Sequence, residues 1–164
     1  MSRFRLWQRL LCLLLALPLP VRAEGPLASF FCVVQSVESA SGFSCQRHRS
    51  LPGSDYGLPS SVRVSLLGYQ PPPDNHPLAA QAHTALGNIL LYQQVRVDVF
   101  AVDKHGRDLG RVRLYKADVT EALLRRGLGR VDRAQFGAYY YVPFEREAQS
   151  QGKGIWSSPR RSRL

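Results

Sequence analysis

The sequence predicts an α+β domain that is mainly β: a five-stranded Greek-key barrel with about three helices. Two observations carry this expectation. Apolar residues alternate with polar ones over five short runs bounded by turn-forming residues, as in strands with one buried face. One stretch of helical periodicity follows the third run, and two more close the chain. A chain of 164 residues holds one such domain plus termini, with enough buried surface for a real core.

The elements follow in order. Phe30 to Val37 is apolar and β-branched, and Ser39-Ala40-Ser41-Gly42 ends it in a turn. Phe43 to His48 returns as the second strand, and residues 49–60 read as an exposed loop. Val62 to Leu67 is the third strand. Gln70-Pro71-Pro72-Pro73-Asp74-Asn75 then halts regular structure, because proline fixes φ and lacks a backbone N–H. From Pro77 to Leu91, Leu78, Ala82, Leu86, Ile89 and Leu90 recur with helical spacing, and proline suits a helix start. Val95 to Val102 alternates at Val95, Val97 and Val99. The turn Asp103-Lys104-His105-Gly106-Arg107 follows, and Leu109 to Tyr115 returns. Asp118 to Arg126 is a short helix with Asp118 or Thr120 as N-cap and Gly127 as C-cap. A last helix runs from Pro143 to Gln151, before Trp156, and no internal repeat is present. A helix after the third strand makes the OB-fold the leading form of the barrel.

The ends differ from this domain, which is expected over residues 28–157. Arg3, Arg5 and Arg9 precede an apolar run from Leu10 to Leu19, and Val21-Arg22-Ala23 offers small residues for cleavage, so residues 1–23 read as a signal peptide. The apolar run is about half of what spans a bilayer, which favours cleavage over the alternative, an uncleaved N-terminal anchor. The expected location is secreted or periplasmic, with a membrane-anchored form as the alternative. Once cleaved, the chain needs no membrane partner and is expected to be a monomer. Removing residues 1–23 takes away four arginines and no acid, lowering the formal charge from +10 to +6. A basic surface suits nucleic acid or anionic membrane. A solvated face with a disordered basic tail at residues 158–164 accounts for the charge equally well. Beyond the leader only Cys32 and Cys45 remain; they permit one disulfide, the alternative being two buried thiols. No nearby His or Cys completes a four-ligand metal site with them.

The 103–107 turn concentrates the chemical signal. A glycine in a hairpin turn followed at once by arginine aims a fixed positive fork off the sheet end, an arrangement suited to phosphate. Asp103-Lys-His-Gly-Arg107, then Glu121-Ala-Leu-Leu-Arg-Arg-Gly-Leu128, then Glu147-Ala148 and Gly154-Ile155-Trp156 stand in one order. That order resembles the staphylococcal-nuclease (thermonuclease-like) family over roughly residues 28–157. The resemblance implies an OB-fold. It also implies phosphodiester hydrolysis in which carboxylates hold calcium, a glutamate positions the water, and two arginines bind the phosphate. Such a division suits phosphoryl transfer, which is mostly positioning and charge neutralisation.

Carried onto this chain, the resemblance assigns the phosphate arginines to Arg63, in Val62-Arg63-Val64, and to Arg107, with Asp103 as first residue of the turn. His105 replaces the tyrosine usual in that turn. The acids are missing. The family's first hairpin carries D-G-D-T, where this chain has Ser39-Ala40-Ser41-Gly42. Its D-x-P-E after the third strand corresponds to Gly68-Tyr69-Gln70-Pro71. Glu38 and Asp74 are weak substitutes, able to hold calcium only if the proline-rich loop folds back, since hard cations need several oxygens. No metal or other cofactor is therefore expected, with calcium entering only if a divergent site is still active. His76, His83 and His105 lack a second group spaced to orient a general base, and no G-x-S-x-G is present. Tyr69, Tyr139, Tyr140 and Tyr141 are candidate stacking surfaces for bases, against the alternative that they pack in the core. The expected function is binding of nucleic acid or another phosphate-rich polyanion by a catalytically degenerate nuclease-like domain. An active divergent nuclease is the first alternative and a structural or interaction protein the second.

Overall fold

The computed structural model describes residues 25–47 and 60–157. The expected leader, most of the 49–60 loop and the basic tail lie outside the described residues. Eight strands, three α-helices and two 3-10 turns make up the rest. β1 (Ala28–Ser39), β2 (Gly42–Arg47) and β3 (Ser60–Leu66) form an antiparallel meander. β5 (Gln94–Val102) pairs antiparallel with the first half of β1 and with β6 (Asp108–Leu114). A short parallel ladder, from Val64–Asp108 to Leu66–Gly110, joins β3 to β6 and closes the five strands into a ring. This is the expected OB-type barrel.

Closure follows from alternation and from bends. Phe30, Cys32 and Val34, then Phe43 and Cys45, then Val64 and Leu66, then Val95 and Val97, and finally Val112 fill the interior. Because side chains alternate across a strand, the intervening residues face outward. Register shifts after Val34 and Val37 bend the long β1, so that one strand serves β5 at its start and β2 at its end. Cys32 and Cys45 are joined in a disulfide inside the barrel, with Cα atoms 5.7 Å apart, cross-linking β1 to β2.

The helices plug the barrel. α1 (Ala79–Leu90) buries Ala82, Leu86 and Leu90. It starts two residues later than proline suggested, because Leu78 N–H is taken by the His76 ring and Ala79 N–H by the His76 carbonyl. At the start of the segment expected to be irregular, Tyr69–Gln70 forms β4, of which only Gln70 falls in that segment, and pairs with β8 (Arg130–Val131). That pairing was invisible locally, since the partner lies some sixty residues away. β7 (Ala117–Asp118) leads into α2 (Val119–Arg125), where the Asp118 carboxylate caps by accepting the Glu121 N–H at 3.2 Å. A 3-10 turn at Ala138–Tyr141 precedes α3 (Val142–Ser150). The closing Gly154–Trp156 turn is tied to the end of α2 by the Ile155 N–H, which donates to the Gly127 carbonyl at 2.9 Å. The G-x-G-I-W and R-R-G-L-G stretches are thus one piece of packing. Among the described residues no helix is long and apolar enough to cross a membrane.

Candidate phosphate-binding site

The 103–107 turn is organised by one carboxylate. Asp103 Oδ1 accepts the N–H groups of His105 (2.8 Å) and Arg107 (3.0 Å), and Oδ2 accepts Arg107 Nε at 2.7 Å. The Gly106 N–H returns to the Asp103 carbonyl, and the Asp103 N–H donates to the Arg107 carbonyl. Partial burial opposes ionisation of Asp103, but the hydrogen bonds from Arg107 and His105 outweigh it and hold the carboxyl below its ordinary range. Asp103 is therefore the clamp that orients Arg107. Among the described residues the two terminal guanidinium nitrogens of Arg107 carry no hydrogen bond.

Strand register brings the second arginine alongside. Val64 pairs with Asp108 in the parallel ladder, and Arg63 and Arg107 each lie one residue before that pair. They are thus neighbours at the mouth of the ladder, on strands about 4.8 Å apart. Val64 faces the interior and Arg63 is exposed. Arg107 reaches across to the first hairpin. A Cβ built on Gly42 would lie 3.2 Å from its Nη1 and 3.5 Å from the Val64 carbonyl. The β1–β2 turn, β3 and the β5–β6 turn therefore meet at one patch of the outer wall. Two arginines are its charge and small hydroxylated residues its floor: Ser44 lies opposite Arg63 in the ladder, with its Oγ 2.7 Å from that of Ser36.

At the positions aligned with the family's carboxylates, the polar groups take part in packing and turns. At the first hairpin, Ser39 Oγ accepts the Ser41 N–H and the Ser41 carbonyl accepts the Leu66 N–H, so these groups serve the turn itself. Gly68 has a left-handed backbone (φ +70), and a Cβ there would lie 2.7 Å from the Tyr141 ring. Its N–H donates to Gln135 Oε1 at 2.6 Å and its carbonyl accepts the Asp132 N–H at 3.1 Å. Tyr69 is buried, donates its hydroxyl to the Leu128 carbonyl at 2.6 Å, and is pushed up in pKa by that burial. Glu38 and Asp74 are exposed, and no cluster of three metal-capable side chains exists among the described residues. These donors do not fit a calcium ion, which takes six to eight oxygens.

Tyr69 and Tyr141 correct the expectation of stacking surfaces. Both are core residues, and Tyr141 donates its hydroxyl to Asp118 at 2.9 Å. Tyr139 and Tyr140 are exposed, with the Arg111 guanidinium 4.6 Å from the Tyr140 ring centre. The histidines are not arranged for proton transfer. His76 Nδ1 accepts a backbone N–H, His83 Nε2 lies 3.3 Å from the Val37 carbonyl, and His105 is exposed on the turn.

Sequence reading overlooked the clamp role of Asp103 and the charge on the outer wall of β5 and β6. There Asp98, buried between strictly alternating valines, accepts from Ser29 (2.7 Å), Arg96 (2.9 Å) and Arg113 (2.7 Å). An aspartate midway in an apolar strand, opposite an Arg-Val-Arg strand, was the available signal.

Residues 63–158 match the family model described as staphylococcal nuclease homologue. Similar proteins include a probable endonuclease LCL3 of Arthroderma otae, 27% identical over an alignment of 130 residues that covers 67% of this chain and 46% of the relative. The LCL3 of Komagataella phaffii is 28% identical over 116 residues, 61% of this chain and 51% of the relative. A probable staphylococcal-like nuclease CAN1 of Oryza sativa subsp. japonica is 28% identical over 107 residues, 63% of this chain and 31% of the relative. The chain thus spans about half or less of the length of these relatives. The match begins at Arg63, takes in the clamped arginine turn and runs past the closing Gly-Ile-Trp turn: this chain belongs to the staphylococcal nuclease homologue family.

Proposed function

We propose that this domain binds the phosphodiester backbone of nucleic acid through Arg63 and Arg107 and has lost calcium-dependent hydrolysis. The observation that carries the reading is the parallel register, which sets the two arginines side by side, with Arg107 held by Asp103 and its terminal nitrogens without a hydrogen bond among the described residues. A guanidinium fixed at Nε presents its remaining donors to a phosphate at low entropic cost. The absence of fitting carboxylates at Gly68 and at the 39–42 turn supports loss of the metal step. The apolar leader and the disulfide inside the barrel support an exported setting, where disulfides persist.

Titration of fluorescent single-stranded DNA and RNA across salt tests binding. Single strands release counterions with a slope of about 0.7 per phosphate contact, so Arg107→Ala and Arg63→Ala each flatten the salt dependence by about that amount. A binding curve indifferent to salt and to both substitutions overturns the reading. Membership in a nuclease family and the relatives named as probable endonucleases favour a second reading, a divergent active nuclease. Strand cleavage that chelator abolishes and Arg107→Ala removes establishes that reading instead.

A further inference from the structure

A strongly charged concavity lies away from the arginine pair. A cleft of about 480 Å³ opens beyond the far end of β6, where Arg111, Arg113, Lys116 and Arg125 outnumber the two carboxylates in its lining, Asp118 and Glu121. Both carboxylates are engaged. Asp118 caps α2 and accepts from Tyr141, and Glu121 accepts from Arg125 at 2.9 Å. The cations divide: Arg113 pairs with Asp98, and Arg125 with Glu121 and Glu147, while the other two are less satisfied. Arg111 Nε is buried without a hydrogen-bond partner, its nearest carboxylate oxygen 3.7 Å away, and among the described residues Lys116 makes no ion pair. Arg107, Arg111 and Arg113 share the outer face of β6, so the cleft lies about 20 Å along the strand from Arg107.

A second, independent observation stands beside Lys116. The β6–β7 turn places Tyr115 at φ 55, a left-handed conformation that suits Gly, Asn or Asp and disfavours a bulky side chain. That tyrosine is 89% exposed and gains no packing in return. An aromatic ring held out at a turn's expense, next to a cationic cleft, is the arrangement by which sequence-tolerant proteins hold single strands.

We infer that this cleft is a second contact for the same nucleic acid strand, taking a phosphate at Arg111 and Lys116 while a base stacks on Tyr115. The inference rests on the nucleic-acid reading above and places the strand along the outer face of β6. Base stacking requires an unpaired strand, so the site selects single-stranded over duplex nucleic acid.

The test uses the full chain, a fluorescein-labelled dT12 oligonucleotide, and inorganic polyphosphate as a base-free polyanion. Tyr115→Gly relieves the backbone and leaves thermal stability equal or higher, yet weakens dT12 about 5- to 100-fold and leaves polyphosphate unchanged. Lys116→Ala weakens both and flattens the salt dependence by about 0.7. Wild-type affinity for dT12 in Tyr115→Gly overturns the inference, as does equal affinity of the wild type for duplex and single strand. Loss of dT12 affinity in Tyr115→Gly but none in Arg63→Ala or Arg107→Ala keeps the cleft and overturns the arginine-pair reading. The converse keeps the pair and overturns the cleft.

Discussion

The two halves of the candidate site sit on the same barrel but are held together for different ends. On one side, both carboxylate oxygens of Asp103 hold Arg107, and among the described residues the terminal nitrogens of that arginine carry no hydrogen bond. On the other, Gly68 is bonded to Gln135 and Asp132, the Tyr69 hydroxyl to the Leu128 carbonyl, and Ser39 Oγ to the N–H of its own turn. The first half holds a guanidinium in a fixed orientation. The second uses its polar groups in packing. The contrast teaches that Arg107 is fixed by partners within its own turn, whereas position 68 is fixed by Gln135 and the Tyr141 ring, far along the chain.

The sharpest way to break the comparison is to rebuild the second half. Gly68→Asp forces a side chain into a left-handed backbone and against Tyr141, and it should cost about 2–4 kcal/mol by urea unfolding. A cost below about 0.5 kcal/mol, an ordinary surface value, would show that Tyr141 yields and that the acid half is only vacant. Replacing Cys32 and Cys45 together by serine should cost about 2–3 kcal/mol, since their disulfide spans thirteen residues of chain. It should also lower oligonucleotide affinity, because Arg107 lies against the hairpin that this bond secures.

Asp103→Ala sharpens the other half by its sign. Removing a negative charge beside a phosphate site should strengthen binding if only net charge matters. A clamp role reverses the outcome, and affinity should fall about 3- to 10-fold, on the order of 1 kcal/mol, for a lost orienting ion pair. The pH dependence follows from the lowered carboxyl pKa. The contribution of Asp103 is fully present above the unfolded value near 3.8 and is lost as pH falls through the folded value, so dT12 affinity should owe no change to this group between about pH 5 and 8. Ser41→Asp is the mildest change, adding an acid to a half-buried turn position; stability should move by no more than about 0.5 kcal/mol in urea melts. Its comparison with Gly68→Asp separates a position that merely lacks an acid from one that forbids it.

The sequence made the barrel legible because alternation and turn residues are local signals, and the limits of the expected strands and helices differ from those observed by two residues at most. Arg107 was legible for the same reason, since Asp103 and Gly106 lie within four residues of it. Arg63 needed the family's order of motifs, because an arginine on an exposed strand face carries no local mark. What could not be read was contact across long separations. Tyr69 beside lost acids resembled a stacking surface until its hydroxyl met the Leu128 carbonyl, and Tyr141 stood among three tyrosines of which only the backbone path decides the buried one. Asp98 was hidden by the regularity of its valine neighbours.

The Tyr141 ring carries one more consequence. It fills the space over Gly68 while its hydroxyl holds the cap of α2, so the same ring closes one cavity and secures one helix. No single substitution restores an acid at position 68. An aspartate requires a smaller residue at 141, and a smaller residue at 141 by itself opens a cavity and frees Asp118. Even with that ring reduced, the left-handed backbone at position 68 still disfavours an aspartate, so the two changes together remain costly.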